Sequence, residues 1–185
     1  MKSRGTSFLP AMLTVLACAP AIAGDGASAD LFRQMATVFQ HPRCANCHTR
    51  EDFPRQGDDE HQHTYGVRRG ADNKGAVALH CAACHQNENQ NDIGIPGAAD
   101  WRLAPLTMAW AGASPAELCR SVRDPARGAM PPAKLVEHLQ TSLVRWSFAP
   151  GIDPRGKQRT TPGMSFDQFV ALARQWVASG AQCPD

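Results

Sequence analysis

Several things are scarce in this chain of 185 residues, and each scarcity excludes something. Charge of one sign is not in excess: 19 basic side chains face 17 acidic ones, for a net charge of +2. Such a balance lacks the basic patch or stripe by which proteins hold nucleic acid, so no nucleic-acid partner is expected. Long apolar runs are missing too. The most hydrophobic stretch, Phe8 to Ala17, is too short to span a bilayer, and no transmembrane span is expected. No segment alternates polar and apolar residues as a half-buried strand does, which sets aside sandwiches and barrels and leaves a mostly α fold. Aromatic residues make up only 6% of the chain, with a single Tyr, so few rings are available to fill a core.

Against this background stand two pentapeptides, Cys44-Ala-Asn-Cys47-His48 and Cys81-Ala-Ala-Cys84-His85. Each reads as the attachment site of a c-type haem. Two residues between the cysteines bring both thiols to one side of a short helical turn, where they bond the porphyrin vinyl groups. The residue that follows is then placed to give its imidazole to the iron. Cys44, Cys47, Cys81 and Cys84 are therefore the covalent attachment points of two haem c groups, and His48 and His85 their proximal ligands. Two porphyrins would also supply the planar apolar bulk that the sparse aromatics do not. The competing reading is a four-thiolate zinc site, which would leave both histidines unused.

Export agrees with this chemistry. Lys2 and Arg4, the apolar run, and small residues at Ala21 and Ala23 form a secretory signal peptide over residues 1–23. Its removal leaves basic and acidic residues equal in number and a single dihaem domain over residues 24–185. An alternative reading takes Val15-Leu16-Ala17-Cys18 as a lipoprotein box, with Cys18 carrying a lipid anchor. Haem attachment and lasting disulfides both belong outside the cytoplasm, as in the bacterial periplasm. Once the signal cysteine and the four haem cysteines are set aside, Cys119 and Cys183 remain as a disulfide pair.

Helices are signalled by caps and periodicity. Ser28 fits as the N-cap of a helix with Leu31, Met35, Val38 and Phe39 on one face, running into the first motif. Residues 51–73 are polar and read as a surface loop unless a ligand organises them; the tract Gln86 to Asn91 is also polar. Ser114-Pro115-Ala116-Glu117 is a capping box with Pro at the first helical position, giving a helix through about Arg123. Pro132 starts another, with Leu135, Leu139, Leu143 and Trp146 facing inward. The last helix begins at Ser165, has Gln168 in capping-box position, and stops at Gly180. Too few residues separate the two motifs for a complete monohaem domain between them, so both haems should share one core.

The sixth position of each iron sets its chemistry. His61 and His63, on the loop after the first motif, are candidates for the first haem. Met108, Met130 and His138 compete for the second, Met130 being presented by Gly128-Ala129-Met130-Pro131-Pro132. His80, beside Cys81, is near enough to serve a neighbouring haem. Arg68, Arg69, Arg102 and Arg123 are candidates to neutralise propionates.

These residues carry a resemblance. His63 with Val67-Arg68-Arg69-Gly70, Cys81 to Gln86, Pro96-Gly97-Ala98 with Trp101, Leu103-Ala104-Pro105 with Met108 and Trp110, Glu117-Leu118-Cys119, Asp124-Pro125, His138 and Gly180-Ala181 with Cys183 together resemble small exported dihaem cytochromes c. That family is often labelled as cytochrome partners of isoquinoline 1-oxidoreductase-type molybdenum hydroxylases. The resemblance implies a cytochrome c-like dihaem domain with short helices and long loops around two covalently bound haems. It favours His63 over His61 and Met108 over Met130 as distal ligands, since Gly128 to Pro132 departs from the family's Gly- and Asn-rich stretch. It also implies redox protein partners: a periplasmic oxidoreductase as donor and a cytochrome or oxidase as acceptor. The rival functions are a dihaem peroxidase-like enzyme with one open iron, and a non-catalytic redox-sensing subunit.

Overall fold

The computed structural model describes residues 25–185; residues 1–23, read from sequence as a signal peptide, and Cys18 lie outside the described residues. The chain is helix-rich with little sheet, 42% helical and 5% strand, and long loops join the helices. None of the described helices is long and apolar enough to cross a membrane.

Helix α1 (Asp25–Phe39) places Phe32, Met35, Ala36, Val38 and Phe39 on one buried face, as a period of 3.6 residues dictates. Ser28 is not its cap. It lies inside the helix, fully buried, and its Oγ accepts the backbone N–H of Gln182 at 3.0 Å. The hydroxyl is thus spent on tying down the C-terminal segment rather than on a helix end.

The buried face of α1 lies against α6 (Phe166–Ala178) and α3 (Pro115–Arg123). Aromatic rings meet on this face. Phe32 meets Trp176 with centroids 5.1 Å apart, and Phe39 meets Trp110 at 4.8 Å and Phe169 at 5.6 Å. Each such side chain contributes about 1.5–3 kcal/mol on burial. Both α3 and α6 begin with the capping boxes read from sequence, Ser114 with Glu117 and Ser165 with Gln168. The disulfide Cys119–Cys183 joins α3 to the segment after α6.

Two features depart from the sequence reading. The helix starting at Pro132 is interrupted: α4 (Pro132–His138) ends, Thr141 turns extended with ψ 158°, and α5 (Ser142–Trp146) starts afresh. Leu139 is buried in the core, whereas Leu143 and Trp146 are only half-buried on the second segment. The polar loop over 51–73 is ordered by a hairpin and by Arg69. It holds a two-residue antiparallel hairpin of β1 (Arg55–Gln56) and β2 (His61–Gln62). Arg69 pins its far end, donating from its buried guanidinium to the backbone carbonyls of Thr49, Glu51 and Ala104 and to Asn73 Oδ1.

Closing a loop of 64 residues, the Cys119–Cys183 bond restricts the unfolded chain, by about 4 kcal/mol on the chain-entropy relation. Replacing both cysteines by Ser is expected to lower the urea midpoint sharply and to raise the slope somewhat, because the unfolded chain loses its cross-link and exposes more surface. A loss below about 1 kcal/mol would show that the core holds the C-terminal segment without the bridge.

Candidate functional site

Both Cys-x-x-Cys-His segments fold into the same closed turn. In the first, which overlaps helix α2 (Pro42–Ala45), His48 N donates to Cys44 O at 3.1 Å. In the second, His85 N donates to Cys81 O at 2.9 Å. The ring of His41 caps the first turn by accepting the N–H of Arg43. The second is anchored by Cys81 N donating to Lys74 O at 2.7 Å. All four cysteines of the two turns are free thiols, while Cys119 and Cys183 are bonded. Burial pushes the Cys44 thiol up to about 12 and Cys47 up to about 11, in each case helped by a neighbouring thiol. Among the described residues no group of three or more His, Cys, Asp or Glu side chains gathers as a metal site.

The two histidines are held alike. His48 Nδ1 donates to the Met108 carbonyl at 2.7 Å, and His85 Nδ1 to the Pro96 carbonyl at 2.7 Å. A carbonyl only accepts, so each Nδ1 carries the proton and each Nε2 keeps its lone pair. Such a bond fixes the tautomer and the ring direction of a metal-binding imidazole. Burial holds both rings neutral, with values down to about 4, against the small upward pull of the carbonyl bonds. Each ring also lies flat on an indole: His48 on Trp110 at 3.4 Å and 11°, His85 on Trp101 at 4.4 Å and 5°. Both carbonyls and both indoles come from the irregular segment 96–110.

The remaining candidates separate. His63 is carried by the hairpin to the second turn rather than the first: its ring lies 6.0 Å from that of His85, at 75°. His63 Nδ1 donates to the Thr64 carbonyl at 2.8 Å, again leaving Nε2 free. The next residue but one, Tyr65, has a left-handed backbone with φ 62°, a conformation that a bulky side chain rarely adopts and that sharpens the turn behind His63. His61 instead pairs with Asp59 at 2.7 Å. Met108 reaches the first site through its carbonyl, while its thioether receives the hydroxyl of buried Ser121 at 3.9 Å. His138 closes α4 within electrostatic range of His48, whose protonation it disfavours. Met130 lines a separate cavity of about 310 Å³ with Leu135 and Trp176. His80 is exposed. Of the arginines read as propionate partners, Arg69 is structural as described, Arg102 pairs with Asp100, Arg68 lies over the Phe53 ring at 5.7 Å, and Arg123 is exposed.

Sequence reasoning passed over the polar tract after His85, which braces the second site. Asn89 Oδ1 accepts from Gly97 N at 3.1 Å and Trp146 Nε1 at 2.9 Å, while Asn89 Nδ2 donates to Ala149 O at 3.1 Å. Asn91 accepts from Ile152 N at 3.0 Å. At Gly97 a Cβ would overlap the carbonyls of Gln86 and Glu88, so only glycine lets the chain pass close enough to present Pro96 O to His85. The signal was present as a run of Asn and Gln, side chains able to satisfy loop backbone from both sides.

The chain finds no match among family models, curated proteins or solved structures, so the functional reading rests on its own residues.

Asn89→Ala removes three hydrogen bonds at once and should cost about 1–3 kcal/mol in urea unfolding, with Asn89→Asp, which keeps the acceptor, costing less. Equal losses in the two variants would show that the acceptor role toward Gly97 and Trp146 is unimportant.

Proposed function

We propose that the chain is an exported dihaem c-type cytochrome that moves single electrons between a periplasmic oxidoreductase and a downstream cytochrome or oxidase. The observation that carries this reading is the matched pair of imidazoles, each at the end of a Cys-x-x-Cys turn, each with Nδ1 bonded to a carbonyl and Nε2 free. The residues fit the group. Cys44 and Cys47 would hold one haem and Cys81 and Cys84 the other, with His48 and His85 on the two irons. When bound, the haems supply reversible one-electron exchange at iron, with potentials set by ligand identity, burial and nearby charge.

Everything else is the work of the protein's own side chains. Carbonyls 96 and 108 hold the proton on Nδ1, and Trp101 and Trp110 keep the two rings from turning. His63 stands opposite His85 at the separation two imidazoles need to share a metal, since two bonds of about 2 Å plus the two ring radii span roughly 6 Å. This supports His63 as distal ligand at the second site, where proximity in sequence had pointed to the first. Met108 and His138, read from sequence as candidates for the second haem, lie instead near His48 of the first site. Met108 sits on the Nδ1 side of His48, the side turned away from the free Nε2, and its thioether receives the Ser121 hydroxyl, which favours His138.

The two sites differ in exposure. Cys44 packs against the hydrophobic core, whereas Cys84 is exposed and Val77 and Leu79, just before Cys81, project into solvent.

An optical redox titration of the exported protein tests the reading. Two low-spin one-electron waves are expected. An open high-spin iron that shifts with cyanide would replace the carrier with a peroxidase-like enzyme, and absence of haem absorption would overturn the reading entirely. His63→Ala should convert one of the two haems to a high-spin form that added imidazole restores; an unchanged spectrum would remove His63 from the ligand set.

A further inference from the structure

Four buried side-chain N or O atoms lack a hydrogen-bond partner among the described residues: Arg43 Nε, Asn46 Oδ1, Arg69 Nε and Trp110 Nε1. All four surround the first Cys-x-x-Cys-His turn. Asn46 belongs to it, Arg43 immediately precedes it, Arg69 bonds to Thr49, and Trp110 stacks on His48. Each residue is more than nine-tenths buried, at 5%, 8%, 4% and 7% exposure. Among the described residues no such orphaned atom lies at the second turn. Buried polar groups are almost always satisfied, and three orphaned donors gathered at one turn point to an acceptor that the polypeptide itself does not provide.

Among the three donors, Arg43 has the strongest demand. Trp110 is neutral, and Arg69 already places its terminal nitrogens on Thr49, Glu51, Asn73 and Ala104. Arg43 carries a full charge on a side chain that is 3% exposed, and among the described residues its ionic partner is Asp58, at the edge of solvent. That carboxylate is shared, its Oδ2 accepting from Thr160 N at 3.3 Å. A second guanidinium adds to the positive potential: Arg159 gives its donors to the carbonyls of Gly94, Pro150 and Ile152, and its charge is felt at Arg43. Asp58 faces Arg43 and Asp153 is felt at Arg159, so what is missing at Arg43 is an acceptor for its buried Nε. A buried donor left unpaired is costly unless an acceptor completes the set.

We propose that Arg43 is the anion clamp of the first site, its buried guanidinium receiving a carboxylate of the porphyrin attached at Cys44 and Cys47. The assignment rests on the dihaem reading and extends it to a residue that neither motif contains. It makes the two haems unequal: the first would have Arg43 Nε for a propionate, whereas Arg159, whose charge is felt at His85, already gives its terminal donors to the carbonyls of Gly94, Pro150 and Ile152.

Arg43→Gln and Arg43→Lys separate the outcomes. In Arg43→Gln one of the two redox waves should move to lower potential, because the lost cation no longer opposes the ferric charge, while the other wave stays. The propionate bending band in the resonance Raman spectrum should shift for that haem alone. Arg43→Lys should restore most of both signals. A stability loss with both waves and the Raman band unmoved would make Arg43 purely structural and overturn the proposal. Should Arg43→Gln not mature, Asp58→Asn leaves the guanidinium in place and removes a competing anion. One wave should then rise, and two unmoved waves would contradict the clamp. If the wild-type protein carries no covalent haem, the failure belongs to the functional reading and not to Arg43.

Discussion

Two hydrogen bonds of 2.7 Å, from His48 to the Met108 carbonyl and from His85 to the Pro96 carbonyl, are the constraint around which the rest of the molecule is arranged. An imidazole can donate from only one nitrogen when neutral, so a carbonyl at Nδ1 decides that Nε2 is the free base. Burial keeps the rings neutral, and the stacked indoles keep them from rotating. Both carbonyls and both indoles lie on one irregular stretch of chain. Irregular backbone is needed here because a helix would have used those carbonyls for its own hydrogen bonds.

That stretch is in turn fixed by its neighbours. Trp110 N donates to His48 O, Ala104 N to Cys47 O and Leu103 N to Asn73 O, which ties it to the first turn and to the polar loop. Asn89 and Gly97 hold its beginning, and Trp110 joins the aromatic core of α1, α3 and α6 through Phe39. The disulfide and the Ser28–Gln182 bond lock the C-terminus onto the same core. The helices thus act as a rigid backing for loops that carry the chemistry.

What the sequence disclosed was what depends on local spacing. The two motifs, both capping boxes and the leftover cysteine pair involve residues whose partners are few positions away or are found by elimination. What it hid depends on distant chain crossings. Ser28 looked like a cap because its true partner, Gln182, lies at the other end of the chain. His63 looked like a neighbour of the first site because the hairpin that carries it to His85 is only two residues long on each side, too short to leave an alternating pattern. The break between α4 and α5 fell inside an unbroken apolar periodicity. Arg43 resembled any surface arginine, since burial leaves no mark on the identity of one residue.

The central claim is that these two turns are built to hold haem covalently. The most direct test is the intact mass of the exported protein under denaturing conditions, where a bound but unattached cofactor is lost. The account predicts a mass above that of the polypeptide by two haem groups, falling by one when Cys44 and Cys47 are replaced together and by one when Cys81 and Cys84 are. A mass equal to the bare polypeptide would contradict it.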